Sequence, residues 1–293
     1  MTDISNQLQT RRDRPVDQAK LGILIEIDRV LNSIPCSYML VGATARDIIL
    51  DNVYGKPVLR ATRDVDIAIL IDSWEGFDVV RNALLKAPNF SESVAQPYRL
   101  NYQLPTDTHA TPIDIIPFGG IAAEDERFQW RSPDTDLVMN VVAFADAYAS
   151  ATSILITPDL TLKVVSIPGL VLLKFLAWID RRNAKDAQDL LRLIETYGDT
   201  AGEERLYSDD IELMDSVGYD LELAGARLLA RDSRSLANPV TKEAIFNLLN
   251  DPAQLDAFEA QFIRRDTFPE ISKAARSASL LEAFVSEFTN ASR

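Results

Sequence analysis

Two aspartates separated by one residue, Asp64 and Asp66, stand at the start of an apolar run, residues 67–71. A run of this kind predicts a strand that is buried on both faces of a sheet. Residues two apart in an extended chain project from the same face, so both carboxylates can converge on one point. Buried carboxylates need a partner, and closely spaced carboxylate oxygens suit Mg²⁺ held together with phosphates. The alternative is a pair of solvated aspartates at a strand end.

A third acid, Asp114, lies inside a later apolar run, residues 112–118. If the two strands are neighbours, Asp114 comes beside Asp64 and Asp66 and completes a site of three carboxylates. The alternative is a buried aspartate that is hydrogen-bonded to backbone groups. Residues 98–104 alternate between polar and apolar before a polar loop, which predicts a hairpin with the Asp114 strand.

Upstream of the acidic pair, an apolar strand at residues 38–41 leads into Gly42 and then into helical spacing. A glycine at such a turn lets the backbone approach a ligand closely, and the N–H groups of the helix start attract phosphate oxygens. Thr44 adds a hydroxyl and Arg46 adds a guanidinium at the same end. The alternative is an ordinary strand-to-helix turn with Arg46 in solvent.

Together the three stretches resemble the nucleotidyltransferase superfamily of the DNA polymerase beta type. The pattern of that superfamily is a strand, a Gly-Gly or Gly-Ser turn into a helix, an Asp-x-Asp strand and a later third acid. The resemblance implies that catalysis and a Mg²⁺ or Mn²⁺ site fall on Asp64, Asp66 and Asp114. It implies that an NTP substrate is bound by Gly42, Ala43, Thr44, Arg46 and Arg63. Ala43 departs from the pattern, so a hydroxyl for the phosphates would come from Thr44.

A further stretch, residues 168–178 with a following Lys185-Asp186 pair, resembles the AbiE toxin-type nucleotidyltransferases. That resemblance implies that Lys174 contacts the triphosphate, that Lys185 lies near the nucleotide, and that Asp186 supports the site or acts as a base. It also implies a toxin with an antitoxin protein as its partner and the 3′ end of tRNA as the acceptor. The alternative is an amphipathic helix pair with solvated charges.

The composition of the chain excludes several classes of protein and of metal site. The chain has 293 residues, 47% of them hydrophobic, and a formal net charge of −14. It shows neither a membrane-length apolar segment nor a signal peptide, which predicts a cytoplasmic protein. One cysteine and one histidine exclude an internal disulfide, a cysteine metal cluster and a site of several histidines. The acidic balance disfavours non-specific nucleic-acid binding, so a small-molecule or protein acceptor fits the charge better than tRNA.

The predicted fold class is α/β (α+β): a mixed-sheet nucleotidyltransferase domain over residues 1–165, then a helical domain over residues 166–293, with the active site in the cleft between them. Helices are predicted at residues 168–180, 184–197, 209–231, 239–249, 252–262 and 270–288. The predicted reaction is transfer of a nucleoside monophosphate from an NTP to an acceptor hydroxyl. Two rival functions are a binding protein of the same fold without catalysis and a metal-dependent phosphohydrolase.

Overall fold

The computed structural model describes residues 7–57, 60, 62–94, 96–123, 126–131, 137–263 and 271–290. The chain divides into two compact units, Met1–Ser166 and Ile167–Arg293. The first unit contains the strands that the structure describes, and the second is built from helices.

The first unit is organised around a mixed sheet of eight strands in the order β1-β9-β10-β2-β3-β6-β5-β4. A separate ribbon pairs β7 with β8. The strands, in chain order, are β1 (Leu8–Gln9), β2 (Ser37–Val41), β3 (Val65–Leu70), β4 (Phe90–Glu92), β5 (Arg99–Tyr102), β6 (Thr111–Phe118), β7 (Arg127–Gln129), β8 (Val138–Asn140), β9 (Thr152–Thr157) and β10 (Leu160–Val164).

Three central strands position the predicted acids. β3 runs antiparallel to β2 on one side and parallel to β6 on the other. β6 in turn pairs with β5 in the antiparallel hairpin that the sequence predicts. Side chains of β3 and β6 are buried on both faces of the sheet, including Ile67, Ala68 and Ile115 at 0% exposure. The interior position of the two strands explains why their sequences are almost continuously apolar.

The helices of the first unit are α1 (Gln18–Leu31), α2 (Gly42–Asp47), α3 (Trp74–Lys86) and α4 (Phe144–Ala149). Asp17 caps α1 by accepting hydrogen bonds from backbone N–H groups, and Ser73 caps α3 in the same way. A π-helical segment, Ile48–Val53, continues α2. The sequence predicts a loop over residues 51–60, and the structure corrects this prediction over residues 51–53, which belong to the π-helical segment.

The second unit contains α5 (Ile167–Arg181), α6 (Ala184–Tyr197), α7 (Glu203–Leu206), α8 (Ile211–Ser216), α9 (Leu221–Leu236), α10 (Pro239–Asn250), α11 (Pro252–Phe262) and α12 (Ile271–Thr289). Its core includes a group of tilted and edge-to-face aromatic rings, among them Phe175, Trp178, Phe258 and Phe284. Each of these rings is 0% exposed, so the rings form part of the core of the helical unit.

One predicted helix is divided in the structure. The sequence predicts a single helix over residues 209–231, whereas α8 ends at Ser216 and α9 begins at Leu221. Gly218 and Tyr219 between them both have a φ of 64°. A left-handed backbone cannot continue an α-helix, so the chain turns there.

The predicted α/β class, with a mixed sheet followed by a helical C-terminal region, is confirmed. Within the described part of the chain, every helix is too short or too polar to cross a membrane.

Candidate active site

The turn between β2 and α2 presses directly against one of the predicted catalytic acids. Val41, the last residue of β2, is the register partner of Asp66 in β3. Gly42 follows with a φ of +68°, and a Cβ atom built on it would lie 2.0 Å from Asp66 Oδ2. Only glycine combines this backbone conformation with such a close approach. The turn and the acidic strand therefore form one local structure, with the Asp66 carboxylate packed on the Gly42 backbone.

Two polar side chains of α2 are buried and hydrogen-bonded within the first unit. Thr44 is fully buried and its hydroxyl donates to the backbone carbonyl oxygen of Asp64 at 2.7 Å. Arg46 is 6% exposed and donates from Nε and Nη2 to Asp47 Oδ1 at 2.9 and 2.6 Å. The sequence predicts both side chains as nucleotide contacts; in the structure each makes an internal hydrogen bond. That nucleotide-binding role stays a prediction.

The remaining predicted positions of the turn are more accessible. Gly42 and Ala43, at the start of α2, are half-buried, and Arg63, just before the acidic pair, is exposed. Asp64 is half-buried and precedes the first residue of β3. The backbone around Asp64 is tied to α2 by the Thr44 hydrogen bond, so the acidic pair and the turn share one support.

Asp66 and Asp114 are brought together by the sheet. The two residues are register partners in the parallel pair of β3 and β6. Register partners on adjacent strands project from the same face, and neighbouring strands lie about 4.8 Å apart. Asp114 is only 9% exposed. The structure therefore places two of the three predicted acids side by side, from positions 48 residues apart in the sequence.

Arg99 binds the third acid from the other side. It is the register partner of Asp114 in the antiparallel pair of β5 and β6. Its Nε donates to Asp114 Oδ1 at 2.6 Å and its Nη2 donates to Asp114 Oδ2 at 2.8 Å. The bond to Asp114 raises the pKa of Arg99, and the charge of Asp64 acts in the same direction. The guanidinium is therefore the cation that neutralises the Asp114 carboxylate in this structure.

The donor set suits a hard divalent cation, because carboxylate oxygens are the ligands that Mg²⁺ and Mn²⁺ prefer. Asp66 and Asp114 are register partners on adjacent strands, and Asp64 precedes Asp66 by two residues. Among the residues that the structure describes, no three histidine, cysteine, aspartate or glutamate side chains stand ready to hold a metal ion. Both Asp114 oxygens accept hydrogen bonds from Arg99.

A second cluster of predicted site residues lies within the helical unit. Lys174 of α5 is 9% exposed, and its Nζ lies 3.1 Å from Asp186 Oδ1 and 2.6 Å from Asp189 Oδ2, both on α6. Arg181 donates from Nε and Nη2 to the Asp186 carboxylate at 2.7 and 2.8 Å. Lys185, by contrast, is exposed.

Charge pairing in this cluster determines the protonation of Asp186. Burial raises the pKa of Asp186, but the hydrogen bonds and charges of Arg181 and Lys174 outweigh it, so the pKa is lowered overall. Lys174 Nζ contacts the carboxylates of Asp186 and Asp189, and these two contacts join α5 to α6. The predicted triphosphate contact of Lys174 and the role of Asp186 stay predictions.

A family model described as "Nucleotidyl transferase AbiEii toxin, Type IV TA system" matches residues 29–286. The chain belongs to the AbiEii family. The match spans both compact units, including the acidic strands and the Lys174 cluster. The predicted resemblance to AbiE-type nucleotidyltransferases is confirmed, and the chain is a nucleotidyltransferase of a toxin family from a type IV toxin-antitoxin system.

Several solved structures are similar to parts of this AbiEii family member. An antigenic nucleotidyltransferase-like protein from Paracoccidioides brasiliensis is 18% identical, with a TM-score of 0.40, over 61% of this chain and 77% of that one. The antibiotic-resistance factor ANT(2'')-Ia is 11% identical, with a TM-score of 0.39, over 75% and 90%. The CD-NTase CdnG from Bradyrhizobium diazoefficiens, in complex with GTP, is 16% identical, with a TM-score of 0.29, over 95% and 87%. No curated protein matches the chain.

In this AbiEii family member, the contact between Arg99 and Asp114 is a feature of the site that the sequence did not predict. Its signal was present, since residues 98–104 were predicted to form a hairpin with the Asp114 strand. The register of that hairpin decides which residue faces Asp114, and the loop between the strands is too long for its turn type to reveal the register. A basic residue on the strand beside a buried acid is the pattern that would have found it.

Proposed function

We propose that the chain transfers a nucleoside monophosphate from an NTP to an acceptor hydroxyl, with Asp64, Asp66 and Asp114 as the catalytic acids. The observation that supports this proposal most directly is the register pairing of Asp66 on β3 with Asp114 on β6, beside the glycine turn. The acceptor oxygen attacks the α-phosphorus, the bond to the β-phosphate oxygen breaks, and pyrophosphate leaves.

The three acids would hold Mg²⁺ or Mn²⁺, which supplies positive charge to the triphosphate and favours loss of the acceptor proton. The half-buried backbone of Gly42 and Ala43 would bind a phosphate of the NTP, since glycine has no side chain to block a close approach and the turn lies against Asp66. Arg63 is exposed beside the acidic pair and would offset charge on the departing pyrophosphate. The contribution of the chain is thus mainly orientation and charge, as phosphoryl transfer requires.

For the acceptor we propose tRNA, and for the physiological partner an antitoxin protein, on the basis of the toxin family. A specific observation keeps a small-molecule or protein acceptor as the second candidate. Arg46, Lys174 and Arg181, three of the basic residues that could contribute to a path for RNA, are each paired with a carboxylate of their own unit. Paired cations contribute little to the neutralisation of phosphates that drives nucleic-acid binding.

The test is incubation of the purified protein with each α-labelled NTP, Mg²⁺ and a total cell extract, followed by separation of the products. The proposal predicts label on tRNA, and label on a protein or a small metabolite would select the second candidate. Asp66→Asn should reduce labelling by about 10³-fold, since the cation that would neutralise the triphosphate loses one of its carboxylate ligands. Asp78→Asn, on the exposed face of α3, removes the same charge and should leave labelling unchanged.

Two results would contradict the proposal. Free nucleotide without a labelled acceptor would indicate a phosphohydrolase. Labelling by Asp66→Asn within a few-fold of the unaltered protein would remove Asp66 from the catalytic acids, and would favour a function in which the carboxylates serve the structure alone.

A further inference from the structure

The bidentate contact between Arg99 and Asp114 occupies the carboxylate that the proposed function assigns to a cation. Both Asp114 oxygens accept hydrogen bonds from the guanidinium, at 2.6 and 2.8 Å. The Asp114 side chain is 13% exposed and the Arg99 side chain 26% exposed, so water screens this pair only in part. We propose that the Arg99 guanidinium is a resident counter-ion that competes with the divalent cation for Asp114, so that cation binding requires Arg99 to release this carboxylate. The inference rests on the proposed function.

Charge repulsion is the physical reason for the competition. A guanidinium that uses both oxygens of a carboxylate leaves a second cation only the outer lone pairs of those oxygens. A divalent ion there would lie within a few ångströms of the guanidinium, where repulsion between cations is strong in a half-buried site. The two cations therefore exclude each other at Asp114, although Asp64 and Asp66 remain able to hold the divalent ion.

The sheet explains why such a counter-ion is built in. Asp66 and Asp114 lie in register on adjacent strands, and Asp64 lies close enough to Arg99 for its charge to act on the guanidinium. Ionised carboxylates at this spacing repel one another unless a cation is present. Arg99 supplies that cation from β5 whenever a metal ion is absent, and its release would leave a mobile guanidinium beside the bound NTP. Arg99 is thus a positioning residue, acting through Asp114.

The test measures Mn²⁺ affinity by the paramagnetic signal of free Mn²⁺, with the full chain and without nucleotide. Arg99→Met removes the charge while keeping a long side chain, and we expect its dissociation constant for Mn²⁺ to fall by about tenfold. Arg81→Met is the matched control: the Arg81 side chain is 25% exposed, on α3, and is also paired with a carboxylate, that of Glu92. It changes the net charge equally and should leave the dissociation constant unchanged.

A purely structural role for Arg99 predicts the reverse, because an Asp114 without its orienting partner would bind Mn²⁺ less tightly. Weaker or unchanged binding by Arg99→Met, or equal tightening in Arg81→Met, therefore overturns the inference. If the unaltered protein and Arg99→Met both keep their melting transitions but neither binds Mn²⁺, the metal site of the proposed function fails as well. Unchanged affinity in a protein that does bind Mn²⁺ overturns the inference alone.

Thermal melting gives a second measurement that does not depend on activity. In EDTA, Arg99→Met leaves Asp114 buried without a counter-ion and should melt at a lower temperature than the unaltered protein. Mn²⁺ should restore most of that difference, since the metal ion then takes the place of the guanidinium. If Arg99→Met does not fold, Arg99→Lys keeps the charge without the planar fork and should show a smaller shift in the same direction. A melting deficit that Mn²⁺ leaves untouched contradicts the competition.

Discussion

Replacing Gly42 by alanine should damage the proposed site more than it damages the fold. Gly42 has a φ of +68°, and the added Cβ would lie 2.0 Å from Oδ2 of Asp66 and 2.7 Å from its Cγ. Contacts this short do not occur between real atoms, and they involve the carboxylate itself. Either the Asp66 side chain rotates away from the turn or the turn moves away from β3, and in both cases the carboxylate leaves its present place.

The magnitude has two parts. An L-residue in the left-handed region costs about 1–2 kcal/mol, and forcing an extra methyl group into a packed site costs about 1–3 kcal/mol. The free energy of unfolding should therefore fall by about 2–5 kcal/mol. Gly55→Ala is the matched control within the same unit. Its φ is +74°, but its added Cβ would meet nothing closer than 3.5 Å, at Arg11, so only the first part applies.

The assay compares urea denaturation of the two variants with their transfer activity. The difference in free energy of unfolding between Gly42→Ala and Gly55→Ala isolates the clash with Asp66. We expect Gly42→Ala to lose at least about 100-fold in activity, as befits a displaced catalytic group, and Gly55→Ala to keep its activity. If Gly42→Ala is no less stable than Gly55→Ala and is equally active, the carboxylate does not need its place on the turn, and the reasoning is refuted.

Two further predictions concern the helical unit. Lys174→Met leaves the buried carboxylates of Asp186 and Asp189 without their shared ammonium, so the free energy of unfolding in urea should fall by about 3–5 kcal/mol. Lys185→Met, on the exposed face, should change the free energy of unfolding by less than about 0.5 kcal/mol. Equal effects of the two substitutions would contradict the enclosure of Lys174. The pKa of Asp186 lies below its ordinary value of 3.8, so its ionised form stabilises the fold above that pH and the stabilisation is lost as the pH falls further. Asp186→Asn should therefore flatten the loss of stability measured between about pH 5 and about pH 2.5, and an unaltered slope would exclude Asp186 as its source.

Helix boundaries were predictable because their signals are local. Asp17 and Ser73 precede apolar helical spacing and cap α1 and α3 through hydrogen bonds to N–H groups two or three residues away. Pro239 and Pro252 start α10 and α11, where a missing N–H donor costs nothing. The break at Gly218 was missed, since the acidic residues on either side suit a helix as well as a turn.

The edge of the sheet was not predictable in the same way. Leu8–Gln9 pairs in parallel with Ile154 and Leu155 of β9, although the sequence of this segment is polar and predicts no strand. Two residues carry too little periodicity to be recognised, and their pairing depends on a strand far along the chain. Contacts over such separations are set by the whole sheet rather than by local preference.

The amino-acid sequence by itself determined the family, the main central strands, most of the C-terminal helices and the acids that carry the proposed chemistry, because these follow from residue types and short spacings. Only the tertiary structure decided which charges those acids meet. Arg99 reaches Asp114 through the register of β5 and β6, and Lys174 reaches Asp189 through the packing of α5 on α6. Strand register and helix packing depend on many contacts between residues that are far apart in the sequence, so they cannot be predicted from a short stretch of it.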